Sequence, residues 1–123
     1  MKINILLVDD RPENLLALEA IIEQKEYNLI KAFSGEEALK YLLKYDFAAI
    51  LLDVQMPGMD GFEAISLIRK NSCFKSLPII ALTAKAMKHN REQCLAAGAS
   101  DYISKPVNLD QLFSLIQVWL YKE

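Results

Sequence analysis

The chain has 123 residues, of which 53% are hydrophobic and 24% are charged, and its formal net charge is −2. These values exclude an intrinsically disordered chain and predict one globular domain over residues 1–123. The small negative charge argues against direct nucleic-acid binding. The apolar runs are far shorter than the roughly 20 residues of a membrane-spanning helix, so we expect no membrane insertion.

Two cysteines and one histidine are too few for a structural zinc site of the usual kind. Cys73 and Cys94 form no CxxC pair, and His89 is the single histidine, whereas such sites use four cysteine or histidine ligands. We therefore expect two reduced thiols. The N-terminal residues run directly into a strand pattern without the apolar region of a signal peptide, so we expect a cytoplasmic protein.

Strand and helix patterns alternate along the chain. The strands are short apolar runs rich in β-branched residues, and we predict them at residues 3–8, 27–32, 47–52, 78–83 and 102–104. The helices carry apolar side chains at helical spacing, and we predict them at residues 12–25, 34–44, 62–70, 88–97 and 108–121. Residues 71–77 are expected to form a polar loop.

Local signals mark where several helices begin and end. Pro12 suits the first turn of the first helix, and Ser34 has the spacing of a capping box with the glutamate three residues later. Gly98 is well placed to end the fourth helix, and Asn108 can cap the last one. The Pro-Gly-Met-Asp-Gly run at residues 57–61 is typical of a turn.

Alternating strands and helices with short links predict a parallel sheet covered by helices on both faces. Right-handed crossovers leave few topologies, and five strands in so small a chain favour the flavodoxin-like order 2-1-3-4-5. The predicted fold is therefore an α/β, flavodoxin-like (βα)5 domain. In this order the first and third strands are neighbours.

Polar side chains gather where the predicted strands end. Asp9 and Asp10 follow the first strand and Asp53 follows the third, at the edge where open α/β sheets bind ligands. Three close carboxylates require a cation, and oxygen ligands suit Mg²⁺. Thr83 and Lys105 fall at the same edge. These residue types predict a phosphoryl-transfer site, in which an aspartate can also be the nucleophile.

Four motifs at strand ends together resemble the receiver domain of two-component response regulators, the CheY-like family. They are Val8-Asp9-Asp10, the run from Asp53 to Gly61, Thr83-Ala84, and the run from Tyr102 to Pro106. The resemblance covers nearly the whole chain and implies a phosphoacceptor in a two-component phosphorelay. The segment from Asp9 to Leu15 is similar to receivers of hybrid sensor kinases, although a stand-alone receiver or a larger regulator fits the residues equally well.

The resemblance implies roles for the acids. Asp53 would be the phosphoacceptor, phosphorylated by a histidine kinase or a histidine phosphotransfer protein. Asp10 would bind Mg²⁺ directly and Asp9 largely through water, and the backbone carbonyl of Gln55 would complete the protein ligands. Such a domain is not an enzyme in the usual sense, because it catalyses only its own phosphorylation and dephosphorylation.

Further roles follow from the same resemblance. Thr83 and Lys105 would hold the phosphoryl oxygens. After phosphorylation Thr83 would move toward the phosphate and Tyr102 would rotate behind it, which would remodel the face built from the fourth helix, fifth strand and fifth helix. Gln55 and Lys85 would flank the path of the attacking water and tune the lifetime of the phosphate.

Two surfaces are candidates for partner binding. On the first helix Asn14, Ala17 and Ile21 share a side near the acids, where a histidine-bearing helix can dock. On the last helix Leu115 and Trp119 lie away from the core stripe, which indicates a homodimer or output contact. Local packing near the end of the chain is the alternative for Trp119.

Two other functions fit parts of the pattern. An Mg²⁺-dependent phosphatase or phosphotransferase with an aspartate nucleophile would need a cap segment over the site, and the short loops argue against one. A pseudo-receiver binds partners without phosphate and usually lacks the acids or the lysine, whereas this chain keeps them.

Overall fold

The computed structural model describes residues 3–22, 27–54, 61–83, 88–105 and 107–120. Its elements are β1 (Ile3–Val8), α1 (Pro12–Ile22), β2 (Tyr27–Ala32), α2 (Gly35–Lys44), β3 (Ala49–Asp53), α3 (Gly61–Lys70), a 3-10 turn (Ser72–Phe74), β4 (Ile79–Thr83), α4 (Lys88–Ala97), β5 (Asp101–Ser104) and α5 (Leu109–Leu120). No α-helix in these parts of the chain combines the length and hydrophobicity needed to cross a bilayer.

The five strands form one parallel sheet in the order β2-β1-β3-β4-β5, as predicted. β1 is hydrogen-bonded to β2 on one side and to β3 on the other. Val8, the last residue of β1, is level with Leu52 of β3. The residues that follow these two therefore lie side by side at the carboxyl edge of the sheet.

The sheet separates two hydrophobic cores, because successive side chains of a strand point to opposite faces. In β1, Leu6 and Val8 belong to the core shared with α2, α3 and α4, which we call the α3-side core. Ile5 and Leu7 belong to the core shared with α1 and α5, which we call the α1-side core. Every residue of β3 and β4 is buried, which explains their continuous apolar sequences.

The predicted helix starts at Ser34 and Asn108 are confirmed. The Ser34 hydroxyl oxygen accepts the N–H of Glu37 at 3.1 Å, and the Asn108 side-chain oxygen accepts the N–H of Gln111 at 2.9 Å. Each bond satisfies a backbone donor that the first helical turn leaves without an intrahelical acceptor.

The predicted end of α4 at Gly98 is also confirmed. Gly98 has a φ of 116°, which favours glycine. Its N–H donates to the carbonyl of Leu95, and the N–H of Ala99 donates to that of Cys94. This pair of bonds is the Schellman motif, and it turns the chain sharply into β5.

Two strands begin later than the sequence predicts. β3 begins at Ala49 rather than at residue 47 and includes Asp53 as its last residue. β4 begins one residue after Pro78, which has no N–H to donate, although the Pro78 carbonyl still accepts the N–H of Ile50 at 2.9 Å. The segment predicted as a polar loop contains the 3-10 turn, capped by the side chain of Asn71.

Arg69 links several segments of the chain at the edge of the sheet opposite to the aspartates. The Arg69 guanidinium donates to the carbonyl oxygens of Gly98 at 2.8 Å, Phe74 at 2.7 Å and Leu77 at 2.6 Å, and to the hydroxyl of Ser100 at 3.1 Å. We call this set the Arg69 clamp. It ties the end of α3 to the segment before β4 and to the turn after α4. Burial lowers the pKa of Arg69 from its ordinary value.

α5 packs more closely than its sequence suggested. Leu112 and Ile116 are buried in the α1-side core, and Leu115 and Trp119 pack partly against the same core instead of lying clear of it. The Trp119 indole N–H also donates to the carboxylate of Asp101 at 3.4 Å. Local packing therefore accounts for part of the Trp119 side chain.

Candidate functional site

Three aspartates meet at the carboxyl edge of β1 and β3. Oxygen atoms of Asp9, Asp10 and Asp53 lie within 4.8 Å of one another, and we call this group the acid edge. Asp9 is 0% exposed, Asp53 is 4% exposed and Asp10 is half-buried. The grouping follows from the level ends of the two strands, as the sequence predicted.

Lys105 joins the acid edge from the end of β5. Its ammonium nitrogen lies 3.3 Å from the Asp53 carboxylate and 3.5 Å from that of Asp9. The Lys105 N–H donates to the carbonyl of Thr83 at 2.7 Å, which holds the residue against β4. Three carboxylates and one ammonium leave two negative charges, and buried charge of this kind is stable only when it is compensated.

The Asp9 carboxylate has a protein donor on each of its oxygens. The backbone N–H of Arg11 donates to Oδ1 at 3.0 Å, and the Asn14 side-chain amide donates to Oδ2 at 3.1 Å. Sequence reasoning missed the second bond, because it placed Asn14 on a partner-binding surface. The short spacing from Asp9 to Asn14 at a helix start is the one sequence signal for it.

The donor set of the acid edge suits a hard divalent cation. Carboxylate oxygens are the ligands that Mg²⁺, Ca²⁺ and Mn²⁺ prefer, whereas soft metals prefer sulfur or imidazole. In the described parts of the chain, this is the one group of three or more acidic, cysteine or histidine side chains close enough to share an ion. The two remaining negative charges match such a cation.

Thr83 ends β4 beside the acid edge, and Tyr102 lies on the neighbouring strand β5. Leu82 is level with Asp53, and Thr83 is the next residue, 1% exposed, at the end of β4. Tyr102 is half-buried, is level with Ala81, and packs in the α3-side core. The predicted switch pair therefore occupies neighbouring strands.

Gly61 allows α3 to begin against the end of β3. The Gly61 N–H donates to the carbonyl of Val54 at 3.1 Å. A Cβ atom on Gly61 would lie 2.1 Å from the Val54 Cα, so any larger residue would displace backbone. This close approach brings the start of α3 next to Asp53.

Several predicted residues lie outside the described ones. Gln55 and Lys85 belong to segments that the structure does not describe, and the same holds for the side chain of Ile21. Of the other two residues of the predicted docking surface, Ala17 is exposed on α1 and Asn14 is half-buried beside Asp9.

A cavity of about 320 Å³ lies at the opposite edge of the sheet from the acids. Its lining includes Tyr45, Phe47, Phe74 and Leu77, which come from the segments before β3 and β4. None of the aspartates of the acid edge contributes to it.

A family model described as the response regulator receiver domain matches residues 5–117 of the chain. The chain is 36% identical over 116 residues to the signal transduction histidine-protein kinase BarA of Shigella flexneri, covering 94% of this chain and 13% of that protein. The chain thus spans only a small part of the length of the curated histidine kinases it matches.

Solved structures of similar chains have the same fold. The receiver domain of the sensor histidine kinase PA1611 from Pseudomonas aeruginosa PAO1 has a TM-score of 0.90 and 35% identity, covers 99% of this chain and 100% of its own, and holds a magnesium ion in its active site cleft. A chain of the Saccharomyces cerevisiae co-crystal of the histidine phosphotransfer protein Ypd1 with the Ssk1 receiver domain has a TM-score of 0.86 and 30% identity, with coverage of 96% and 88%.

Proposed function

The chain belongs to the response regulator receiver domain family, and we propose that its Asp53 accepts a phosphoryl group from a phosphohistidine partner. Receiver domains are phosphoacceptor signalling modules. The observation that carries the assignment is the position of the Asp53 carboxylate. It ends β3 within the acid edge, with the Lys105 ammonium 3.3 Å away.

Asp53 is better placed than Asp9 to act as the nucleophile. The Asp9 carboxylate is fully buried and has both oxygens engaged by Arg11 and Asn14. Asp53 lies on the strand between those that carry Asp9 and Thr83, so that Lys105 and a hydroxyl are both close to the position of an incoming phosphoryl group.

In the proposed reaction, an Asp53 carboxylate oxygen attacks the phosphorus of phosphohistidine. The P–N bond breaks and its electron pair returns to the imidazole nitrogen, which then takes a proton from solvent. Lys105 and Thr83 bind the phosphoryl oxygens and stabilise the charge that they carry in the transition state.

The acid edge is the proposed Mg²⁺ site. Asp10 and Asp53 would bind the ion directly and Asp9 largely through water, with the backbone carbonyl of Gln55, outside the described residues, as a further ligand. The bound ion supplies charge neutralisation at the phosphoryl oxygens. The oxygen donors and the two uncompensated negative charges support this assignment.

The switch and the phosphate lifetime are assigned to neighbouring residues. We propose that Thr83 moves toward the phosphate and that Tyr102 follows into the space behind it.

Gln55 and Lys85 tune hydrolysis of the phosphate. Replacing Lys85 by alanine should speed phosphate loss, measured by the decay of labelled protein, because a long cation no longer crowds the water path. An unchanged decay rate would refute this role.

Two partner contacts complete the proposal. A histidine-bearing helix docks on α1 near the exposed Ala17, and Ala17→Glu should slow transfer from a histidine phosphotransfer protein while leaving transfer from acetyl phosphate unchanged.

A homodimer forms through α5 beside Leu115 and Trp119. Light scattering with and without a phosphate mimic tests it, and a monomer in both states at high concentration counts against the dimer.

Incubation with acetyl phosphate and Mg²⁺, followed by intact-mass measurement, tests the central assignment. We expect an acid-labile adduct of one phosphoryl group on the wild-type chain and on Asp46→Asn, which changes an exposed aspartate at the opposite edge of the sheet. The adduct should be absent from Asp53→Asn and after chelation of the metal. An adduct that persists on Asp53→Asn would show that another residue is the acceptor.

A further inference from the structure

Asp9 is a fully buried carboxylate that depends on its donors. A buried carboxylate is costly unless it is hydrogen-bonded or paired. Asp9 accepts the Arg11 N–H on Oδ1, while Oδ2 has the Asn14 amide at 3.1 Å and the Lys105 ammonium at 3.5 Å. These three donors fix how the carboxylate is turned within the acid edge.

The three donors are not equivalent. The Arg11 donor is a backbone N–H, which any residue other than proline would supply at that position. The Lys105 ammonium also contacts Asp53, to which it is slightly closer than to Asp9. In the proposed function it binds the phosphoryl oxygens. The Asn14 amide is the side-chain donor that remains with Asp9 when Lys105 turns to the phosphate.

Asn14 is well suited to hold another side chain in place. It lies in the first turn of α1, where its N–H donates to the carbonyl of Arg11 at 3.1 Å. The next residue, Leu15, is completely buried in the α1-side core and anchors that turn. A donor on such a rigid element can hold its partner within a few tenths of an ångström.

The amide is also neutral. A lysine or arginine at this position would pair with Asp9 and remove negative charge from the acid edge. The amide orients Asp9 and leaves the two uncompensated charges available to a divalent cation.

From these contacts we infer that Asn14 is a positioning residue that holds Asp9 in the orientation in which the acid edge binds Mg²⁺. This inference rests on the proposed Mg²⁺ site and deepens it. It gives Asn14 a role inside the site, different from a contact with the phosphodonor.

The test measures binding of Mg²⁺ alone to the 123-residue chain by calorimetry. Loss of a residue that orients a metal ligand typically weakens binding 10- to 100-fold, so Asn14→Ala should raise the Kd about tenfold. With acetyl phosphate as donor, the Mg²⁺ concentration for half-maximal phosphorylation should rise by the same factor. The rate at saturating Mg²⁺ should change by less than about twofold, since Asn14 acts only through Asp9.

Two further variants guard against an unspecific effect. Asn28→Ala removes another asparagine amide, which donates to Asn4 at the opposite end of β1, and should leave the Kd unchanged. Asn14→Gln keeps an amide donor and should bind Mg²⁺ more tightly than Asn14→Ala. Alanine is the best helix former, so Asn14→Ala should keep its helical circular dichroism.

The outcomes separate this inference from the proposed function. An unchanged Mg²⁺ Kd in Asn14→Ala overturns the inference, and so does a defect confined to transfer from a histidine phosphotransfer protein. Asn14→Gln binding no more tightly than Asn14→Ala also overturns it. If the wild-type chain binds Mg²⁺ in an Asn14-dependent way but takes no phosphoryl group, the proposed function fails and the inference stands.

Discussion

Removal of the Arg69 clamp should cost the domain a large part of its stability. In Arg69→Met the side chain keeps its apolar stem but loses four hydrogen bonds of 3.1 Å or shorter. Bonds from a charged donor contribute roughly 1.5–3 kcal/mol each, but water can reach part of the freed acceptors. We therefore take about 0.8 kcal/mol per bond and expect a loss of about 3 kcal/mol in the free energy of unfolding.

Urea unfolding followed by circular dichroism measures this loss. With a slope of about 2 kcal/mol per molar urea, the midpoint should fall by about 1.5 M at an unchanged slope. Lys70→Met removes the neighbouring exposed cation of α3 and should stay within about 0.5 kcal/mol of the wild type. Arg69→Lys should recover less than half of the loss, because one ammonium cannot span acceptors on two separate segments. An Arg69→Met midpoint equal to that of Lys70→Met would refute the reasoning.

Four further outcomes are expected. Gly61→Ala should lower the free energy of unfolding by at least the roughly 1–3 kcal/mol typical of overpacking, because its Cβ would press on backbone rather than on a flexible side chain; an unchanged urea midpoint would contradict this. Burial raises the pKa of the Cys94 thiol above its ordinary 9.0, so the unfolded chain loses this proton first and stability falls as pH rises above 9.0; Cys94→Ala should lack that part of the fall in alkaline urea titrations. With a thiol reagent, exposed Cys73 should react rapidly and Cys94 only as the protein unfolds, and two fast thiols would contradict the fold. Asp101→Ala should shift the emission of Trp119, the single tryptophan, because its indole N–H loses an acceptor; an unchanged spectrum would show that the bond is absent in solution.

The sheet order and the acid edge could be predicted because local signals and chain topology determine them. Apolar runs gave the strands, and right-handed crossovers left one favoured order. Once β1 and β3 are neighbours, Asp9 and Asp53 must meet. The helix ends at Ser34, Gly98 and Asn108 were equally predictable, since capping depends on residues only a few positions apart.

The remaining contacts depend on tertiary geometry that no local pattern carries. Arg69 is one of several charged residues near helix ends in the sequence, and its acceptors are mostly backbone carbonyls, which no sequence pattern marks. Helical periodicity predicts Asn14 on a partner-binding surface of α1, whereas in the structure its amide donates to Asp9. A helical wheel cannot reveal the hydrogen bond of Trp119 with Asp101, because that residue belongs to another element.

Because β1 and β3 end at the same level, the domain should tolerate insertions and deletions at some positions and not at others. Deleting one residue within β1 would turn the following side chains to the opposite face and draw Asp9 out of line with Asp53, so the acid edge would be lost even if the sheet re-formed. The exposed turn at Tyr45 and Asp46 lies at the far ends of the strands and leaves the pairing of Val8 with Leu52 untouched. An epitope or a fluorescent domain is therefore best inserted at that turn.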